Sequence, residues 1–154
     1  DTWYNTLKYS NLITSHTWNV GAVSYQETNL QTSVNEEKKE TWDGKIGLMN
    51  VTDYVKASIN SACTSINAYK SNSSCYSNSA THNWIYAGPV AKSFSWTIAP
   101  SSGSGAYGVF DVYGPGSIGY DSAASSRDVV PVLYLSSDIS LGGNGTSNSP
   151  YTVG

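Results

Sequence analysis

The chain has 154 residues, a net charge of −3 and only 12% charged residues, about half the usual fraction, so we expect one domain spanning residues 1–154. Its Lys and Arg residues form no cluster beyond Lys38-Lys39, which excludes nucleic acid or an anionic membrane as a main partner. No apolar run approaches the ~18 residues of a transmembrane helix. These residues contain no signal peptide, and the chain opens abruptly at Asp1 with a Trp at position 3, so we expect a fragment or a mature product.

The first part of the chain combines a helical pattern with a strand pattern. Apolar residues at nearly helical spacing predict a helix over 3–16, and residues 16–25 are typical of a strand. The polar segment 26–41 is expected to be an exposed loop or a short helix. Its run Glu36-Glu37-Lys38-Lys39 predicts a solvated face.

The stretch WDGKIGLMNVTDYVKAS changes from a strand pattern to a helix pattern. Residues 45–49 predict a short strand, and apolar spacing then predicts a second helix that ends near Ser61. Thr52 is the expected N-cap, and Asp53 suits the positive end of the helix.

The two cysteines indicate the compartment of the protein. Cys63 and Cys75 flank a polar, loop-like segment, and a disulfide between them would stabilise the fold by about 3 kcal/mol in an oxidising compartment. The alternative is a pair of free thiols in a cytosolic protein. A metal site is not expected, because no second Cys/His pair lies at ligand spacing.

The second part of the chain has strand patterns. Residues 76–93 are rich in loop formers, with Trp84 and Ile85 expected to be buried. After them, 95–99 and 108–114 alternate as antiparallel strands do, and 129–135 is the longest apolar run and is expected to be a central strand. The strand segments are 95–99, 108–114 and 129–135, followed by a hairpin around Gly-Asn-Gly. Pro131 lies inside the last of these segments and needs a position without a ladder hydrogen bond.

Helices followed by strands, without alternating βαβ units, predict an α+β fold. Periodicity alone would equally allow a β-sandwich with two appended helices.

Several segments together resemble a family of uncharacterised bacterial extracellular domains. The resemblance covers nearly the whole chain and rests on the opening WYNTLKYSNLITSHTWNVG and on four later segments, 44–57, 96–100, 129–138 and 143–151. Where the family often has Arg before the proline of its VRPV strand, this chain has Val130, so any role of that Arg is not carried here.

The resemblance implies a C-type-lectin-like fold, with two helices packed on an antiparallel sheet and long loops. It also implies an extracellular location on a bacterial cell surface or pilus. Such domains often follow a type IV prepilin-like helix, so this chain is expected to be a soluble head that lacks an upstream anchor and makes no membrane contact itself.

Catalytic chemistry is not expected. His16 and His82 lack motif partners, and the aspartates are isolated in turns and caps, whereas a hydrolase needs a positioned nucleophile or a carboxylate pair. We therefore expect no cofactor. Calcium bound by oxygens of loops 101–107 or 115–128 remains an alternative.

Aromatic residues are the candidates for ligand contact. Tyr86, Tyr107, Tyr113 and Tyr120 flank Gly/Ser-rich loops, and we expect them to be exposed and to bind a ligand, with packing as the alternative.

The resulting hypothesis is a non-enzymatic recognition or adhesion domain that binds a glycan or a protein on a host or bacterial surface. Its contacts would come from loops 86–92, 101–107 and 114–128. The alternative is a structural pilin head that packs against other pilin subunits.

Overall fold

A computed structural model describes residues 10–77, 79–87, 94–103, 107–146 and 148–153. Helices α1 to α6 span Leu30–Glu37, Val51–Lys56, Ile66–Ser71, Ser73–Tyr76, Ser79–His82 and Trp84–Ala87. Strands β1 to β10 span Ile13–Thr14, His16–Asn19, Thr41–Gly44, Ile46–Gly47, Ser95–Pro100, Gly108–Tyr113, Ser117–Ser122, Val132–Leu135, Leu141–Gly142 and Thr152–Val153. No helix in these ranges is long and apolar enough to cross a membrane.

The strands form four small antiparallel sheets, ordered β5-β6-β7, β1-β8-β4, β2-β3 and β9-β10. The protein is therefore α+β, as predicted. The expectation of two helices is wrong, because six short helices lie in the described residues. The prediction of helices first and strands later also misses that strands from the two halves of the chain form one sheet. In it, β1 and β4 from the front of the chain pair with β8 from the back.

The core lies between the inner face of the β5-β6-β7 sheet and helices α2 and α3. Phe110 and Ile118 of the sheet and Tyr54 and Tyr69 of the helices are completely buried. The Tyr54 hydroxyl donates to the carbonyl of Gly116 at 2.8 Å, so the buried phenol has a partner. The predicted alternation along β6 is confirmed for Phe110 and Val112, which are buried between half-buried Val109 and Tyr113, but it is interrupted at Asp111, which is 3% exposed.

The N-terminal prediction is wrong where it can be compared. Residues 3–9 of the expected helix lie outside the described residues. Ser10–Leu12 is a short 3-10 helix, and Ile13 then enters β1, where it pairs with Leu135 of β8 and is 5% exposed. Pairing with a distant strand outweighs the local helical spacing.

Segment 26–41 contains the short helix α1, whose first turn is capped by Asn29 Oδ1 accepting from the Thr32 N–H at 3.1 Å. The prediction of a solvated charged face fails at Glu37, which is 2% exposed. Its carboxylate accepts from the N–H of Thr52 at 3.1 Å and from the Thr52 hydroxyl. Burial raises the pKa of Glu37.

Helix α2 begins after Asn50, so the prediction of Thr52 as N-cap is wrong. The backbone N–H of Asn50 donates to the Asp53 carboxylate at 3.3 Å, which confirms the expected role of Asp53 at the helix start. The helix ends at Lys56, earlier than predicted, because the chain after it forms a bridge to the segment before α6.

The predicted disulfide is present, with the Cα atoms of Cys63 and Cys75 5.4 Å apart. The segment between them is not the expected loop, since it contains α3 and the start of α4. Side-chain oxygens of Ser65 and Asn72 cap these two helices, so polar residues that suggest a loop act as helix starts.

The strand predicted over 129–135 is confirmed over Val132–Leu135, and it lies between β1 and β4 as the central strand of its sheet. Pro131 lies directly before it, where no ladder N–H is needed. The terminal hairpin is also confirmed, with Gly143 and Gly145 at φ values of +83° and +76°.

Candidate ligand-binding cleft

A cleft of about 510 Å³ lies between β2, β8, α2 and α6. Its volume lies in the range of small-molecule sites. We call it the tryptophan cleft and define it by His16, Asn50, Asp53, Lys56, Trp84 and Tyr134.

Stacked aromatic rings make one wall of the tryptophan cleft. The His16 and Tyr134 rings lie 3.7 Å apart at 22°, and the Trp18 ring meets His16 edge-on at 5.2 Å. The Trp18 indole N–H donates to the carbonyl of Gly44 at 2.9 Å. A Cβ at Gly47 would lie 2.6 Å from the Trp18 ring, so glycine is needed there for the close packing that holds this wall.

Trp84 also lines the cleft and is 70% exposed, so the prediction that it is buried is wrong. The buried residue is Asn83, whose Oδ1 accepts from the N–H groups of Ile85 and Tyr86 and starts α6. The Trp84 N–H donates to the carbonyl of Ala57 at 3.3 Å. This bond fixes the backbone of α6 against the end of α2 and leaves the indole in solvent. Ile85 packs against the core as a partly buried residue.

Polar groups of α2 lie beside these rings. Asp53 and Lys56 form an ion pair of 3.7 Å, and both side chains are about half exposed. Such a pair contributes little to stability, so Lys56 can turn to a ligand at small cost, whereas Asp53 also accepts from the Asn50 N–H at the helix start. The Asn50 Oδ1 is buried and faces the N–H of Asp53 in the capping box of α2, but no hydrogen bond of normal geometry to it is present among the described residues.

The four predicted contact tyrosines do not converge on this cleft. Tyr86 is 7% exposed, and its hydroxyl donates to the carbonyl of Gly114 at 2.6 Å, so its expected exposure is wrong: it is a helix residue that closes the core. Tyr107 is 76% exposed directly before β6. The nearby residues 88–93 and 104–106, which belong to the predicted contact loops, lie outside the described residues.

Tyr113 and Tyr120 do come together, in a shallower groove of about 420 Å³ that we call the tyrosine groove, with Tyr25 and Phe94. Their rings are already engaged within the protein. Phe94 stacks on Tyr113 at 5.8 Å and 7°, and Tyr25 meets Tyr120 edge-to-face at 4.9 Å. Tyr120 is in a strand rather than in the loop predicted for it, because β7 extends to Ser122.

Arg127 occupies the polar side of the tyrosine groove. Its guanidinium lies 4.8 Å from the Phe94 ring centre, and it donates to Asp111 at 2.8 Å and to Asp121. Burial raises the pKa of Asp111, whereas the backbone N–H of Ser122 lowers the pKa of Asp121. These contacts fix segment 120–128 on the sheet, which favours packing over ligand contact for this groove.

Metal binding gains no support from the ranges that the structure describes, since they contain no group of three or more His, Cys, Asp or Glu side chains placed to hold an ion. Calcium bound through backbone or amide oxygens stays an untested alternative.

Trp84, Tyr134 and His16 were missed as a group because they come from α6, β8 and β2, which are far apart in the chain. Strands were predicted for the segments that contain His16 and Tyr134, and loop for the segment that contains Trp84. Nothing in these segments indicated that the three residues meet.

Comparison of the chain with models of protein families, with curated proteins and with solved structures finds no match.

Proposed function

We propose that the chain is a non-enzymatic recognition domain of an exported bacterial surface protein, and that it binds a neutral saccharide in the tryptophan cleft. The observation that carries the proposal is the exposed indole of Trp84 facing the same cleft as the stacked pair His16–Tyr134. Aromatic faces pack against the apolar C–H face of a sugar ring, as they do against other apolar groups. The charges of Asp53 and Lys56 offset each other, which favours an uncharged ligand.

Binding without turnover is favoured by the carboxylates of the cleft. Glycoside hydrolysis by the common mechanisms needs two carboxyl groups flanking the scissile bond. Asp53 is the only carboxylate among the described residues that line the cleft, and it is paired with Lys56. Asp111 and Asp121 lie in the tyrosine groove and share Arg127.

An extracellular location, on a cell surface or pilus, is supported by three properties of the chain. The disulfide Cys63–Cys75 suits an oxidising compartment. The low content of charged residues is typical of exported proteins. The resemblance to C-type-lectin-like bacterial domains implies the same location and a binding role, and we propose that fold as the framework of the cleft.

A glycan array probed with the purified chain tests the proposal, with Trp84→Ala as the site variant and Tyr107→Ala as the matched control. Both side chains are strongly exposed, so neither change should disturb the core. We expect Trp84→Ala to weaken binding about thirtyfold, since an aromatic anchor contributes about 2 kcal/mol or more. An array without any bound glycan would contradict the proposal, as would a loss of binding in Tyr107→Ala alone.

A second candidate function is a structural pilin head that packs against copies of itself. It is favoured by the outer face of β8, where Leu133 and Leu135 are 36% and 39% exposed. Sedimentation velocity over a range of concentrations separates the two functions. Association that Leu133→Ser removes would favour the structural role, and a monomer at every concentration would count against it.

A further inference from the structure

We infer that the saccharide bound in the tryptophan cleft is an N-acetylhexosamine, recognised through its acetamido group. The inference rests on the proposed function, because it names the ligand class of the same cleft. It follows from two features beside the aromatic walls: an aliphatic lining and an unpaired acceptor.

The aliphatic lining of the cleft comes from partly exposed side chains and from two that are almost fully buried, Met49 and Ala57. Five apolar side chains share the cleft with the aromatic rings: Leu48, Met49, Ala57, Ile85 and Val132. A hexose that carries only hydroxyl groups would have to place some of them against this surface, where they lose their hydrogen bonds to water. An acetamido methyl group instead gains by leaving water.

The unpaired acceptor is the side-chain oxygen of Asn50. The other polar groups of this residue near the helix start are engaged: its N–H donates to Asp53, and its carbonyl accepts from the N–H groups of Asp53 and Tyr54. In the capping box at the start of α2 its buried Oδ1 faces the N–H of Asp53, but it makes no hydrogen bond of normal geometry to that group or to any other in the described part of the chain. A buried acceptor without a donor is unfavourable, and an amide N–H would supply the missing bond.

The two features are adjacent in the chain and match the acetamido group. Met49 and Asn50 are consecutive residues that both line the cleft. An acetamido group likewise presents an N–H donor and a methyl group on either side of one carbonyl. A hydroxyl at the same position would offer the donor without the methyl, and a free amine would place a cation near Lys56.

Three trisaccharides with the same β-1,4 linkage test the inference by isothermal titration calorimetry on the full chain at pH 7. They are the trimers of glucose, glucosamine and N-acetylglucosamine. We expect the N-acetylglucosamine trimer to bind at least tenfold more tightly than either of the other two. Asn50→Ser should reduce this preference severalfold, since serine is also a favourable N-cap but its shorter side chain withdraws the acceptor.

Equal affinity for the glucose and N-acetylglucosamine trimers would overturn the inference, and so would no measurable affinity for either. The ratio of the two trimer affinities is measured on the wild-type chain, so the test still works if Asn50→Ser folds poorly. If the inference fails in this way but glycans on the array bind the wild-type chain and not Trp84→Ala, the proposed function still holds. An array with no bound glycan would instead remove both.

Discussion

Replacing Thr52 by Val tests the buried contact that joins α1 to the start of α2. Glu37 and Thr52 are 2% and 1% exposed, so water cannot replace the lost hydroxyl. The substitution keeps the shape of the side chain and the N–H bond of 3.1 Å, and it removes only the hydroxyl donor.

The expected loss follows from the charge of the acceptor. A hydrogen bond to an ionised group contributes about 1.5–3 kcal/mol, so we expect the free energy of unfolding to fall by about 2 kcal/mol at pH 7. With a urea m value of roughly 2 kcal/mol/M, the midpoint should fall by about 1 M. At acid pH Glu37 is protonated, and the loss should shrink toward about 1 kcal/mol, the contribution of a bond between neutral groups.

Urea unfolding followed by circular dichroism at pH 7 and pH 4 measures both effects. Thr32→Val is the matched control, because Thr32 is an exposed residue of α1 and should change stability by no more than about 0.5 kcal/mol. Equal midpoints for Thr52→Val and Thr32→Val at pH 7 would refute the reasoning.

Three further predictions concern stability. Burial raises the pKa of Glu37 in the folded state, so the contribution of Glu37 to stability is full below the ordinary glutamate pKa and is lost as pH rises through the raised value. The free energy of unfolding, measured with urea across this pH range, should therefore fall more steeply with pH in wild type than in Glu37→Gln. Parallel pH curves for the two proteins would contradict this. Arg127→Met removes the guanidinium that pairs with the buried Asp111 and should lower the urea midpoint at pH 7, and Asp111→Asn in the same chain should restore most of that loss; an unrestored double variant would contradict the ion-pair explanation. Reducing Cys63–Cys75 should cost about 3 kcal/mol, measured as the shift in urea midpoint with and without reductant, and an unchanged midpoint would contradict it.

The parts of the fold that were predicted correctly are those whose signals are local. Alternation defines β6, turn glycines define the terminal hairpin, and spacing relates Cys63 to Cys75. The errors lie where a distant partner decides. Ile13 belongs to β1 because β8 pairs with it. Glu37 is buried because Thr52 supplies two donors.

The candidate site was harder to predict than the fold. Exposure of Tyr107 and Tyr120 was predicted correctly, but loop composition could not indicate that Tyr86 closes the core through Gly114. Trp84 was expected to be buried because tryptophan is large and apolar. Its exposure depends on Asn83, a polar residue that takes the buried position next to it.

The indole N–H signals of the tryptophans, followed by ¹⁵N NMR during titration with the β-1,4-linked trimers of glucose and N-acetylglucosamine, test most directly whether the tryptophan cleft is the binding surface. Trp84 reports on the cleft, Trp96 reports on the tyrosine groove through its contact with Arg127, and Trp42 lies on β3 outside both. We predict that the Trp84 signal shifts saturably with at least one trimer while those of Trp96 and Trp42 stay in place. A stationary Trp84 signal, or shifts concentrated at Trp96, would contradict the account.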